Sequence, residues 1–317
     1  MGATLGRVLF YDKNLSADNS ISCASCHKQD KGFSDDAQLS VGIKGTTTRR
    51  NSMTLINSRY YENGRFFWDE RAATLEEQVL MPIRDHNEMG LELPAMEQTL
   101  HQLDYYPILF RQAFGDEEIT ARRVALALSQ FTRSIISYQS KFDKGIIQAG
   151  NSEISDLTPN FPNFTAQENL GVDIFYRGRN EATCKYCHGS AQVVAQEARN
   201  NGLEVNYADN GKGEITGNPA HMATFKAPSL RNIALTGPYM HDGRFQTLME
   251  VVEHFNTGVQ PHQSLHFRLS TIDDGPLGSP PMQMNLNQQE KEALVAFLHT
   301  LTDPTIATDP KFSDPFK

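Results

Sequence analysis

Two pentapeptides carry the clearest chemistry in this sequence: Cys23-Ala24-Ser25-Cys26-His27 and Cys184-Lys185-Tyr186-Cys187-His188. A CxxCH segment places two thiols where each can form a thioether to a haem vinyl group, and it turns the histidine back onto the iron. The chain has four cysteines and all four lie in these segments, so none remains for a disulfide or a free thiol. A zinc or redox CxxC does not require a histidine directly after the second cysteine, and here both copies have one. The sequence therefore predicts two covalently bound haem c groups, with His27 and His188 as proximal iron ligands. The opposite face of each iron decides its use. An open face admits oxygen or peroxide, whereas a second protein ligand makes an electron-transfer site.

The segments that must position these sites recur in order. Leu5-Gly6-Arg7-Val8-Leu9-Phe10-Tyr11 precedes the first CxxCH, and Leu170-Gly171-Val172-Asp173-Ile174-Phe175-Tyr176 precedes the second. Their apolar residues suit one face of a short helix. Asn63-Gly64-Arg65-Phe66 followed by Thr74–Val79 is echoed by Asp242-Gly243-Arg244-Phe245 followed by Thr247–Val252. The expected fold is mainly α, with two cytochrome c-like haem domains related by internal duplication and long loops wrapping the cofactors. The expected boundaries are 1–150 for the N-terminal haem domain, 165–303 for the C-terminal one and 304–317 for a tail. Apolar spacing predicts helices over Thr120–Tyr138 and Asn287–Leu301. A Gly-, Asn-, Ser- and Pro-rich stretch between Gly145 and Thr165 reads as a linker, and 196–226 and 256–285 read as loops.

The 317 residues suffice for two domains, and 39% hydrophobic with 21% charged residues is a globular balance. A net charge of −9 argues against nucleic acid as a partner and favours a partner with a basic patch. No apolar run is long enough to span a membrane as a helix. The opening MGATLGRVLFYD lacks a basic region followed by an apolar one, so it reads as a mature sequence with its export signal removed. Haem attachment to CxxCH takes place outside the bacterial cytoplasm, which predicts a periplasmic location.

Over nearly its whole length the sequence resembles the bacterial dihaem cytochrome c peroxidases and their MauG-type relatives. The matching stretches include LGRVLFYDKNLS before CASCH, SVG at 40–42, RNS at 50–52, FWDERA at 67–72 and NEMG at 87–90. APSLRN at 227–232 and LTGPYMHDG at 235–243 continue the match. The resemblance implies that the N-terminal haem reacts with peroxide and that the C-terminal haem passes electrons inward. Glu88 matches the family's distal glutamate, a base suited to moving a proton between peroxide oxygens. Trp68, the chain's single tryptophan, matches the inter-haem tryptophan and becomes an electron relay. The family also binds calcium between its domains, which maps onto Asn51, Thr236 and Pro238, whose oxygens suit that ion.

Two departures bear on function. Many of these peroxidases carry a histidine after SVG that caps the resting peroxidatic iron; here the position is Ile43, which cannot ligate. The N-terminal haem is thus expected to be five-coordinate or to hold only water, with His86 as the fallback ligand. The slot that supplies a Met or Tyr to the C-terminal haem holds Phe255. His254, one residue away, is the first expectation for that ligand, and Met282, then Met284, the next. His241 is expected to support the haem pocket rather than ligate.

The expected activity is reduction of hydrogen peroxide to water with electrons from a small c-type cytochrome or a cupredoxin. One alternative is a MauG-like enzyme that uses peroxide to oxidise aromatic side chains of a partner protein. Another is a dihaem electron-transfer protein without a substrate, which would need both irons capped. The family often forms homodimers, which is the expected assembly.

Overall fold

The computed structural model describes residues 1–150, 160–180, 182–189, 197–271 and 279–317. The first half contains α1 (Gly2–Tyr11), α2 (Cys23–Cys26), α3 (Leu75–Gln78), α4 (Met81–Arg84), α5 (Leu93–His101), α6 (Tyr105–Phe114), α7 (Ala121–Ser134) and α8 (Lys141–Gln148). The second contains α9 (Ala166–Arg177), α10 (Lys185–His188), α11 (Lys212–Thr216), α12 (Leu248–Glu253) and α13 (Gln288–Thr300). Strands β1 (Ala198–Arg199) and β2 (Phe225–Lys226) pair antiparallel, with Arg199 opposite Phe225. The fold is mainly helical. None of its described helices is long and apolar enough to cross a membrane.

Each half is built on one tight helix pair. In the first, α1 crosses α7 so closely that a Cβ on Gly6 would lie 2.0 Å from the Ala127 carbonyl oxygen. In the second, α9 crosses α13 in the same manner, and a Cβ on Gly171 would lie 2.0 Å from the Ala293 carbonyl oxygen. One turn further along each pair, Phe10 meets Phe131 with ring centroids 5.1 Å apart, and Phe175 meets Phe297 at 5.0 Å. Only glycine permits such backbone approach, so Gly6 and Gly171 set the helix spacing on which each core is stacked.

Capping side chains start the helices where the sequence predicts. Thr120 accepts from the Arg123 N–H at the start of α7, and Asn287 and Glu290 form a reciprocal box at the start of α13. Thr165 with Glu168 and Thr247 with Glu250 do the same for α9 and α12. The stretch read as a linker from Gly145 begins inside α8, whose capping box of Ser140 and Asp143 carries the helix on to Gln148. The rest of that stretch includes 151–159, which lie outside the described residues.

The packing divides the chain differently from the boundaries expected at 150 and 304. Phe142 of α8 is fully buried in the second core, where it meets Phe161 and Phe297. Ile306 and Phe312, from the expected tail, are buried in the first core, with Phe312 against Phe33 and Phe131. The Tyr11 hydroxyl donates to the Phe312 carbonyl at 2.7 Å. Between the cores runs a buried polar seam. The Ser137 N–H donates to Asn57 Oδ1 at 2.9 Å, its hydroxyl to Asn232 Oδ1 at 2.6 Å, and Asn232 Nδ2 to the Asp303 carbonyl at 2.9 Å.

Candidate active site: two facing cavities

The first cavity is bordered by Cys23, Cys26, His27, Gln78, Glu88 and Met89, among others. The short helix α2 begins where Ser22 donates its N–H to the Ser25 hydroxyl, and it aligns both sulfurs on one turn. Burial pushes the Cys23 and Cys26 thiols up to about 12 and about 11, so neither is a ready thiolate. His27 Nδ1 lies 3.0 Å from the carbonyl oxygen of Phe33, a fully buried residue. That carbonyl can only accept, which puts the imidazole proton on Nδ1 and leaves the Nε2 lone pair as the metal-binding atom. Burial also holds His27 below the usual histidine range, keeping it neutral.

Glu88 sits on a loop clamped from both sides. Its N–H donates to the Asp85 carbonyl at 2.9 Å, and its carbonyl accepts the Ile43 N–H at 3.0 Å. Gly42 lies so close that a Cβ there would stand 1.8 Å from the Asn87 carbonyl oxygen, which explains the glycine of SVG. Burial, with the Asp85 carboxylate beside it and Arg71 opposing, pushes the Glu88 carboxyl up to about 7. Ile43 packs its Cδ1 over Gly90 and is not among the residues bordering the cavity. His86 is exposed. Among the described lining residues His27 is the sole imidazole, and Met89, the remaining sulfur besides the two cysteines, is buried in the first core.

The second cavity is larger and more apolar, and Cys184, Cys187 and His188 border it. Burial pushes the Cys184 thiol up to about 12 and raises that of Cys187. Trp68 borders this second cavity, not the first. Its indole N–H donates to the Asn51 carbonyl at 2.8 Å, and its own carbonyl accepts the Lys226 N–H at 2.7 Å. His241 meets it edge to face at 6.4 Å and stacks on Phe225 at 3.7 Å. Burial drives the His241 imidazole down to about 4, so it is a neutral ring in the pocket wall. Ser52 borders both cavities, so the segment carrying Asn51 and Ser52 forms the partition between them.

A buried ion network fixes the flanks of Trp68. Arg50 donates to Asp209 at 2.7 and 2.8 Å and also binds Asp69, while Lys212 reaches Glu70 at 2.5 Å. These bonds tie the 49–70 segment of one half to the 209–212 segment of the other.

Asn51, Thr236 and Pro238 all border the second cavity. Asn51 Nδ2 donates to the carbonyls of Gln38 at 3.0 Å and Ala37 at 3.3 Å, leaving Oδ1 as the acceptor end of the amide. No cluster of three or more His, Cys, Asp or Glu suited to a metal ion occurs among the described residues. A cation here would have to be met by amide and carbonyl oxygens.

The side chain expected first as the second ligand of the C-terminal haem, His254, is turned away. After α12 the chain widens into a π-helical turn over His254–Gly258, which brings Phe255 to the cavity and buries His254. His254 Nε2 is 2.9 Å from the Asn201 carbonyl oxygen, so that nitrogen is already engaged. Met282 and Met284 both border the cavity, Met282 held by its N–H to the Leu269 carbonyl at 2.8 Å. Arg199, Met240 and His266 also border it. Arg199 and His266 escape a reading of the sequence, because no motif or periodicity marks them, whereas Met240 lies within the LTGPYMHDG match.

Both cavities suit a covalently attached macrocycle: paired thiols and a histidine on a short helix, within largely apolar walls. Comparisons with known proteins agree. Residues 1–151 match the profile of the family described as di-haem cytochrome c peroxidase. The chain is 32% identical to the methylamine utilization protein MauG of Methylophilus methylotrophus, over 94% of this chain and 82% of that protein. It is also 32% identical to the cytochrome c551 peroxidase of Nitrosomonas europaea, over 95% and 79%. A solved MauG-like protein associated with microbial copper homeostasis superposes with a TM-score of 0.81 at 32% identity, covering 100% of this chain and 93% of that one. The chain belongs to the di-haem cytochrome c peroxidase and MauG family and is a haem-dependent peroxidase with two haem cofactors.

Proposed function

We propose that the protein reduces hydrogen peroxide to water at a haem c held by Cys23, Cys26 and His27. Electrons arrive through a second haem c held by Cys184, Cys187 and His188. The observation that carries this reading is the asymmetry of the first cavity: His27 is its sole described imidazole, and a half-buried carboxyl, Glu88, stands on its border. When bound, the haems supply the iron that receives peroxide and the route for its two electrons. Glu88, poised near neutrality, takes the proton from the peroxide oxygen bound first and delivers it to the oxygen that departs as water. Two electrons and two further protons complete the conversion to two water molecules. Ile43 cannot cap the iron, so no reductive release step precedes peroxide binding.

Trp68 acts as the relay from the second cavity, hydrogen-bonded to the partition through the Asn51 carbonyl and flanked by His241. Met282 would hold the second position on the C-terminal iron, since it borders the cavity while His254 does not. Asn51, Thr236 and Pro238 hold calcium through oxygen atoms. The parallel placement of Gly6 and Gly171 supports an origin of the two halves by duplication. The protein works in the periplasm with a small c-type cytochrome or cupredoxin as donor, as a homodimer.

A second reading is favoured by the likeness to MauG and to a MauG-like protein: peroxide oxidising aromatic side chains of a partner protein. Steady-state turnover with peroxide and a reduced small c-type cytochrome separates the two. Rapid turnover supports the peroxidase. A long-lived oxidised state with sluggish turnover supports the protein-modifying enzyme instead.

A further inference from the structure

Two buried N–H groups on the border of the second cavity have no acceptor among the described residues. Arg199 and His266 are 67 positions apart, yet the backbone sets them side by side. Arg199 lies on β1, and the next residue, Asn200, accepts the His266 N–H at 3.1 Å. The Arg199 guanidinium contacts His266 Nε2 through Nη1. Arginine can only donate, so Nε2 is the acceptor and the imidazole proton resides on Nδ1. Burial, reinforced by Arg199 and Arg268, drives His266 down to about 4, so the ring is neutral and this tautomer persists.

The consequence is two N–H groups without a partner among the described residues. His266 Nδ1 and Arg199 Nε are both buried and neither has a hydrogen-bond partner among the described residues. Buried donors are nearly always paired, so two adjacent orphans on one cavity wall mark the place of an acceptor. A positive charge beside them specifies an anion. Arg199 pairs with Glu197 at 3.3 Å, and that carboxylate is largely exposed. Guanidinium with an adjacent N–H is a donor set suited to a carboxylate.

We propose that Arg199 and His266 form the receptor for a propionate carboxylate of the C-terminal haem. This rests on the assignment of a haem to Cys184, Cys187 and His188. Arg199 supplies the charge, and His266 supplies a neutral donor and keeps the guanidinium oriented. A cation held there favours the reduced, more negative form of the haem, so the pair sets the driving force for electron entry. His266 thus acts on the porphyrin edge and not on the iron.

The test uses the holoprotein, after a pyridine haemochrome assay has confirmed two haems per chain. A count of one would remove the haem assignment itself, independently of this proposal. Arg199→Gln, Arg199→Lys and His266→Gln are compared by spectroelectrochemical titration, resonance Raman of the propionate bending mode and electron paramagnetic resonance. Arg199→Gln is expected to shift the C-terminal haem about tenfold toward the oxidised form, about 59 mV for one electron. The propionate mode should move, Arg199→Lys should restore most of the potential, and His266→Gln should leave the low-spin signal in place. Conversion of that haem to high spin in His266→Gln would make the histidine an axial ligand and overturn the proposal. An unmoved propionate mode would overturn it too. A potential that instead follows added acetate would assign the site to a free anion and would likewise rule out the propionate.

Discussion

The Ile43 N–H donates to the Glu88 carbonyl at 3.0 Å, joining a residue that cannot ligate iron to the proposed proton carrier. The isoleucine side chain folds over Gly90 and leaves the cavity border to Glu88. One loop contact thereby serves both halves of the proposed chemistry, an iron face left without a ligand and a carboxyl held beside it.

Replacing Glu88 with Gln keeps the shape and removes the base. Reaction with peroxide should slow by roughly a hundred- to ten-thousandfold, while both haem spectra stay nearly unchanged. Burial raises this carboxyl to about 7, so its basic form is present above that pH and lost below it. The rate of peroxide reaction should accordingly fall about tenfold per pH unit below 7, and the Gln variant should lack this limb. Stopped-flow mixing across about pH 5 to 9 checks both points.

The axial ligand of the second haem can be read from three variants. Met282→Ala should convert its low-spin signal to high spin and abolish the Met-to-iron charge-transfer band at the red end of the spectrum. Met282→His should keep it low spin at a lower potential. His254→Ala should leave the ligation intact, because that imidazole is bound to the Asn201 carbonyl.

These outcomes depend on features that differ in how far sequence reveals them. CxxCH is a local device, so Cys23, Cys26, Cys184 and Cys187 are legible without a fold, and short-range caps such as Thr120 and Asn287 are legible for the same reason. The orientation of His254 is not, because a π-helical turn changes the face presented by each residue and leaves no periodic signature. Phe312 reads as part of a tail, yet it is buried beside Phe33 through contacts nearly the length of the chain apart. Arg199 and His266 meet because the chain at the end of β1 pairs with the loop before His266, which composition does not encode.

Gly6 and Gly171 should respond alike to alanine. Each added methyl meets a facing carbonyl at 2.0 Å, so the helices must separate. Each variant should lose about 1–3 kcal/mol of stability in urea unfolding. Loss at one position only would contradict the equivalence of the two helix pairs.

Calcium held by Asn51, Thr236 and Pro238, as proposed, predicts a linked stabilisation. With free calcium at about a hundredfold its dissociation constant, unfolding should cost about 2.7 kcal/mol more than in chelator. Asn51→Ala should abolish most of that difference, as followed by calorimetry with and without the ion.

Electron paramagnetic resonance of the fully oxidised protein tests the central claim most directly, since that claim is one open iron and one capped iron. The expected spectrum holds one high-spin ferric signal, from the haem at His27, and one low-spin signal, from the haem at His188. The high-spin component should change on adding peroxide. Two low-spin signals that persist in peroxide would mean a protein ligand opposite His27, and would leave a dihaem electron carrier in place of a peroxidase.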